Sequence, residues 1–438
     1  MFEFGKDLRK LFAQARQDDD LGWVELIGAD LLRIEARQQS TDAGRVSCPR
    51  PFPAFLRAAA LWREHARRTG AADSLARARD AARDAARQTS CPEQTALAAI
   101  ETAHVAMIRF DLCGGVEGLE QAGRDMAALP PVRRAQAAAA AALATRIEAR
   151  LARLSGDDER LREAAAGMDA ALQGLAGKDR IQGDDLRMER AGLALEIGVL
   201  RRDPSLLDQA GRELAVLIDG ASPDYRPLTR ARALALCGTG LSVLATLAGD
   251  ADAAGQGRAM FEAAADQFTP DHSPLDWIAI QLVRSEDEAA PLLTLTQCET
   301  LSQGQGLILG ALARERRIAR ETALVTTLGD MTGLDAIETR IRARLVKAAA
   351  SEPLAWAADQ IGMAHVALAR TAMARAALTR SPFAGSRVEA PPELGLILTE
   401  AAATAREEGA LVLAERAERL LAQPPMATNG PFTNPGLP

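Results

Sequence analysis

Apolar positions in this chain fall three and four residues apart, in step with glycines. The pattern is G-x4-L-x2-A: Gly70, Leu75 and Ala78; Gly114, Leu119 and Ala122; Gly156, Leu161 and Ala164. A leucine three residues before an alanine puts both on one face of a helix. Glycine takes the left-handed conformation that ends the helix before it, and a nearby Asp or Ser caps the one after. Each copy therefore predicts a helix end, a tight turn and a second helix. The phase persists with substitutions: Arg202 holds the glycine place ahead of Leu207 and Ala210, and Gly249 precedes Ala254 and Gly257. These five copies lie 44, 42, 46 and 47 residues apart. Gly329 with Leu334 and Ile337, and Gly409 with Ala414 and Ala417, carry weaker copies further on.

A second pattern marks where some first helices begin. The stretches from Pro274 and Pro353 share P-L-x-W-x-x-x-Q, with proline suited to a first helical turn, and the two prolines are 79 residues apart, close to two units. Trp277 and Trp356 occupy its matching places and read as anchors between helices. The stretches from Pro92 and Pro353 also agree, each with Ile eight residues on (Ile100, Ile361) and then Ala-His-Val-Ala around His104 and His365. Only 3% of residues are aromatic against 48% apolar, so Ala, Leu, Val and Ile must supply the core. Ala, Leu, Arg and Glu are also strong helix formers, and the predicted fold is all-α.

Helix pairs with Gly-Asp turns, small residues where the helices cross and a P-L-x-W-x-x-x-Q start resemble the longer, degenerate tetratricopeptide-like repeats of bacterial proteins. The resemblance covers residues 52–423. It departs from the usual unit of about 34 residues, and from its W-x2-L-G-x2-Y signature, since the only tyrosine, Tyr225, lies in a turn-like stretch. It implies an α-solenoid of stacked antiparallel helix pairs, about 42–47 residues each, with a concave surface that holds a peptide or partner helix. A single pair cannot bury its apolar face, whereas stacked neighbours bury a continuous core.

Acidic residues outnumber basic ones by 59 to 52, a net charge of −7 that argues against nucleic acid as partner. Five cysteines, odd in number and without a C-x-x-C pair, read as reduced thiols in a cytoplasm. No signal peptide is expected in MFEFGKDLRK, nor any run of about 20 apolar residues for a membrane span.

Residues 1–51 precede the first clear unit and are expected to form two helices broken at RQDDD and QSTDAGRVS. Phe2, Phe4, Leu8, Leu11 and Phe12 mostly share one helical face. That face suits a cap docked on the first repeat, a partner-docking helix, or a membrane-surface contact by residues 2–16. Residues 283–306 interrupt the register, as a degenerate repeat or as a joint between two half-arrays. Residues 424–438, rich in Pro, Gly and Asn, are expected to be disordered.

Candidate site residues are few. His104 and His365 follow Ala103 and Ala364, the small-residue crossing positions, and the resemblance places each beside the concave surface. Each is then either a polar residue buried against the adjacent pair or a partner contact. They lie hundreds of residues apart, and repetition explains their coincidence better than joint metal binding. Arg314, Arg316 and Arg317, with the arginines from Arg340 on, make either solvated faces paired with Glu or a docking surface for an acidic partner. Asp266, Asp271, His272 and Asp276 have metal-binding atoms without a metal-binding spacing, and Asp271, Ser273 and Pro274 are ordinary chemistry at a helix start. The glycines of GTGLSV from Gly238 follow a helix and lack the strand that a dinucleotide site needs. No catalytic constellation is legible and no cofactor is expected. The expectation is a non-catalytic scaffold or adaptor for a protein or peptide partner; the alternative is a regulatory sensor holding a small molecule between two halves of the array.

Overall fold

The computed structural model describes residues 21–130, 132–175, 180–287, 291–303, 307–347, 352–379 and 391–422. Among them are eighteen α-helices and no strand, so the protein is all-α. A short 3₁₀ turn, Gly22–Leu26, leads into α1 (Ala29–Ala43). There follow α2 (Pro51–Thr69), α3 (Ala72–Arg87), α4 (Pro92–Cys113), α5 (Val116–Ala127), α6 (Arg134–Ser155), α7 (Asp158–Leu175), α8 (Arg180–Arg201), α9 (Pro204–Gly220), α10 (Pro227–Ala248) and α11 (Ala251–Ala265). The remainder are α12 (Pro274–Asp287), α13 (Leu292–Leu301), α14 (Ile308–Leu328), α15 (Met331–Lys347), α16 (Pro353–Thr379), α17 (Leu394–Glu407) and α18 (Leu411–Ala422). Phe4, Phe12 and the amphipathic face they belong to lie outside the described residues, as does the carboxy-terminal tail.

Two compact units divide the chain. One comprises Met1–Ile108 with Leu119–Ile280, the other Arg109–Gly118 with Gln281–Pro438. In the first, α2 packs on α3, α6 on α7, α8 on α9 and α10 on α11, and α8 also touches both α6 and α10. In the second, α14 packs on α13, α15, α16 and α18, and α17 lies between α16 and α18 in sequence and packs on both. The stretch 283–306 thus supplies the end of α12 and the short helix α13.

The turns explain why the helices stop where they do. Gly70, Gly114, Gly156, Gly249, Gly329 and Gly409 all have positive φ, and Arg202, at φ 51°, is the single non-glycine residue that does among those described. Helix starts are set by caps: Asp203 accepts from Ser205 N at 2.9 Å, Asp250 from Asp252 N at 2.9 Å and Asp157 from Glu159 N at 2.9 Å. Proline opens α2, α9 and α10. Because alanine dominates the buried faces, helices approach closely; Ala58 and Ala59 of α2 pack directly on Ala81 and Ala82 of α3. Gly238 of the GTGLSV stretch sits inside α10, where a Cβ would come within 2.8 Å of the Phe261 ring. It is a helix-crossing glycine.

Gly114 is tighter still. A Cβ there would fall 1.7 Å from the carbonyl oxygen of Glu408, whereas a Cβ at Gly156 would meet nothing within 4 Å. Gly156→Ala is therefore expected to cost only the left-handed backbone penalty, roughly 1–2 kcal/mol. Gly114→Ala should cost clearly more, because two backbones must separate. Urea unfolding of the two variants checks this, and equal losses would place the strain in φ alone.

One helix, α10, is long and apolar enough to cross a membrane by length and composition, which corrects the expectation that no such run exists. Its first two turns carry Arg230 and Arg232. Those arginines are engaged inside the first unit, and Leu228, Ala231, Ala233 and Leu234 are buried there against neighbouring helices.

Candidate functional site

Charged side chains recur on the first helices of successive pairs in the first unit, and they meet across one repeat length. Arg63 on α2 donates to Glu101 on α4 at 2.7 Å, 38 residues on. Arg146 on α6 reaches Glu189 on α8 at 2.6 Å, 43 residues on, and Arg150 reaches the same carboxylate at 3.0 Å. Arg232 on α10 grips Asp276 on α12 at 2.5 Å, 44 residues on, and Arg67 on α2 lies 3.9 Å from Asp276. Buried charges are tolerable only when paired in this way. Burial raises the pKa of Glu189, but Arg146 and Arg150 reverse that and hold it well below the usual carboxylate range. Asp276 likewise ends at about 2, because Arg232 and Arg67 outweigh its burial.

Asp185 on α8 is the exception. Burial lifts its pKa despite Arg146, Arg67 and Arg232 nearby. His104 on α4 is buried, and burial together with Arg63 and Arg146 keeps it neutral; its Nδ1 meets no hydrogen-bond partner.

Against this charged face lies a segment of the chain itself. Residues 22–29, here called the strap, pass from α2 to α10. The Glu25 carboxylate receives the Arg226 Nε at 2.7 Å, the Thr229 backbone N–H at 2.8 Å and the Thr229 hydroxyl at 2.6 Å. Arg226 is the N-cap of α10 and Thr229 lies in its first turn, so the carboxylate sits at the positive end of a helix beside a guanidinium. Backbone carbonyls of the strap are held as well. Arg68 donates to Val24 O at 2.9 Å and to Ile27 O at 2.8 Å, and His272 Nε2 donates to Glu25 O at 2.8 Å. Ala29 N–H donates to Asp271 O at 3.1 Å. Trp23, Val24 and Ile27 are buried with Leu32, Leu61, Trp62 and Val105. The strap is thus held by one carboxylate, three carbonyls and three apolar side chains, at residues 201 to 247 positions away in the case of Glu25.

The second unit has its own network. Arg314 on α14 bonds Glu299 at 3.1 Å and Asp359 on α16 at 3.4 Å, and Arg344 on α15 bonds Asp359 at 2.6 Å. Arg317 bonds Glu299 and, at 3.0 Å, Glu321; Arg316 reaches the Ser285 hydroxyl at 3.2 Å. Glu315, only 3% exposed, takes His365 Nε2 at 3.0 Å and Arg416 of α18. Burial opposes its ionisation, but the bonds from His365 and Arg416 bring its pKa to about 2.

These placements separate residues that sequence reading had grouped. His104 and His365 occupy matching places after their prolines, yet one is a sealed neutral ring and the other a hydrogen-bond partner of Glu315. Arg314 and Arg317 serve internal carboxylates. Trp277 packs beside Phe261, Phe268 and Ile280. Asp276 and His272 join the charged face and the strap, and no group of three metal-ligating side chains gathers among the described residues. A groove of about 870 Å³ runs past Met126, Ala140, Ala144 and Ile147 in the first unit, lined mainly by alanine and aliphatic groups. The strap and the inter-helix charge pairs were missed. The pairs had a findable signal, an arginine with an acid 38–44 residues downstream on a neighbouring first helix; the strap had none.

Stability should depend on pH through the histidines. Burial, Arg33 and Arg68 lower His65 from 6.5 to about 4, and burial also lowers His104 and, with Arg68, His272. Between those values and 6.5 the unfolded chain takes up protons that the folded chain refuses. Stability is then full above about pH 6.5 and falls as pH drops toward 4. Urea midpoints measured from pH 7.5 to 4.5 should decline, and His65→Gln should flatten the decline.

No protein-family model and no curated protein matches the chain.

Proposed function

We propose that this chain is a non-catalytic scaffold or adaptor of the bacterial cytoplasm, an α-solenoid of tetratricopeptide-like helix pairs that binds a protein or peptide partner along the face of its first helices. One observation carries the reading: in the first unit that face already holds a peptide segment by backbone carbonyls, a carboxylate and apolar side chains. Arginine and histidine side chains that donate to carbonyls read a peptide backbone whatever its sequence, while the Arg226–Thr229 corner selects for an acid. Helix pairs that repeat every 42–47 residues would present such groups at regular intervals.

A phage-displayed peptide library panned on the full chain tests this. The expected result is enrichment of clones that carry an acid between apolar residues. A folded chain that enriches nothing above background sinks the scaffold reading.

A further inference from the structure

We propose that the strap is a self-ligand: it opens while the helices it crosses stay folded, and its seat then accepts an acidic segment of a partner protein. That segment places a glutamate where Glu25 lies and apolar side chains where Trp23, Val24 and Ile27 lie. The inference rests on the scaffold reading and names its site.

The seat is complete without its occupant. Arg226 keeps Asp184 as a second counter-ion at 3.4 Å, and donates to the Thr229 hydroxyl at 2.9 Å. Arg68 keeps Glu64 at 2.7 Å, and that carboxylate also binds Arg67. Neither guanidinium is stranded when the strap leaves, so the large penalty for orphaning a buried charge does not fall on opening. Thr229 N–H belongs to the first turn of a 22-residue helix whose later turns do not involve the strap.

The strap's own regular structure is the five-residue 3₁₀ turn Gly22–Leu26. Its 3₁₀ turn has Val24 N–H on Leu21 O at 3.0 Å and Ile27 N–H on Val24 O at a long 3.4 Å. Its shape is imposed by the seat, as the shape of a bound peptide is. What holds it closed is the burial of Trp23, Val24 and Ile27, the Glu25 corner and the three carbonyl bonds from Arg68 and His272. Being tethered, it competes at an effective concentration on the order of millimolar. A partner with acid alone therefore loses to it, and one with acid and apolar groups in the same order competes.

Two measurements decide. Hydrogen exchange on the full wild-type chain should show the amides of residues 22–29 exchanging faster than those of α2 and α10. A labelled peptide of residues 22–30, GWVELIGAD, should bind Glu25→Gln at least tenfold more tightly than wild type, because the resident is weakened and the seat is intact. In the Glu25→Gln background, Arg226→Ala or Thr229→Val should reduce that binding at least tenfold. Strap amides as protected as α2 and α10 overturn the proposal on wild type alone, whatever the variants do. Equal binding of a peptide with glutamine in place of its glutamate overturns it too. Library clones that bind a folded chain without competing with GWVELIGAD also overturn this seat, and leave the scaffold reading standing.

Discussion

Glu315→Ala should lower the stability of the second unit by about 3–5 kcal/mol, the largest single effect expected in this chain. Glu315 is a carboxylate on α14 with His365 of α16 on one side and Arg416 of α18 on the other. Its removal leaves a guanidinium that is itself only 9% exposed without this counter-charge. Hydrogen exchange of α14, α16 and α18 amides measures the loss locally, which matters because a chain of two units need not unfold in one step. The companion variant Glu315→Leu/Arg416→Met should recover much of the loss, since an apolar pair of similar volume avoids the desolvation of both ions. If the double variant is as unstable as the single one, packing rather than charge is what Glu315 supplies. The pH dependence has a definite sign: with a folded pKa near 2 against 4.5, the contribution is present above about pH 4.5 and fades as pH falls toward 2.

Leu161→Asp tests the first unit in the opposite way, by adding a charge where none is compensated. Leu161 on α7 is 2% exposed and packs among Ala149 and Ala152 of α6 and Leu186, Leu193 and Ile197 of α8. A carboxylate there has no partner, and the cost should be roughly 3 kcal/mol or more. Leu161→Ala in the same site should cost about 2–5 kcal/mol through the cavity it leaves. A wild-type urea midpoint for the aspartate variant would mean that Leu161 faces solvent.

The turns of this protein are legible in sequence because one backbone conformation dictates one residue type. Six glycines and Arg202 end helices with positive φ, and the spacing between them marks out the helix pairs before any packing is known. The all-α class is legible for a similar reason, since alanine and leucine at helical intervals leave no alternating stretch for a strand. Long-range chemistry is a different matter. Whether Arg314 faces an acidic partner or the protein's own Glu299 depends on where α13 and α16 come to rest, which local spacing does not encode. The 3₁₀ stretch LGWVELIG was the least legible. Its glutamate looks like any solvated helical charge until Arg226 and Thr229, some 200 residues away, are placed beside it.

The strap has an evolutionary consequence. Arrays of repeats ordinarily grow and shrink by duplication or loss of a whole unit, because each unit touches only its neighbours. Here the span from Arg68 on α2 to Thr229 on α10 is bridged by eight residues of fixed reach. One pair more or fewer between them would carry Arg226 away from Glu25. On the solenoid reading proposed above, the strap acts as a tally of helix pairs, fixing how many stand between α2 and α10.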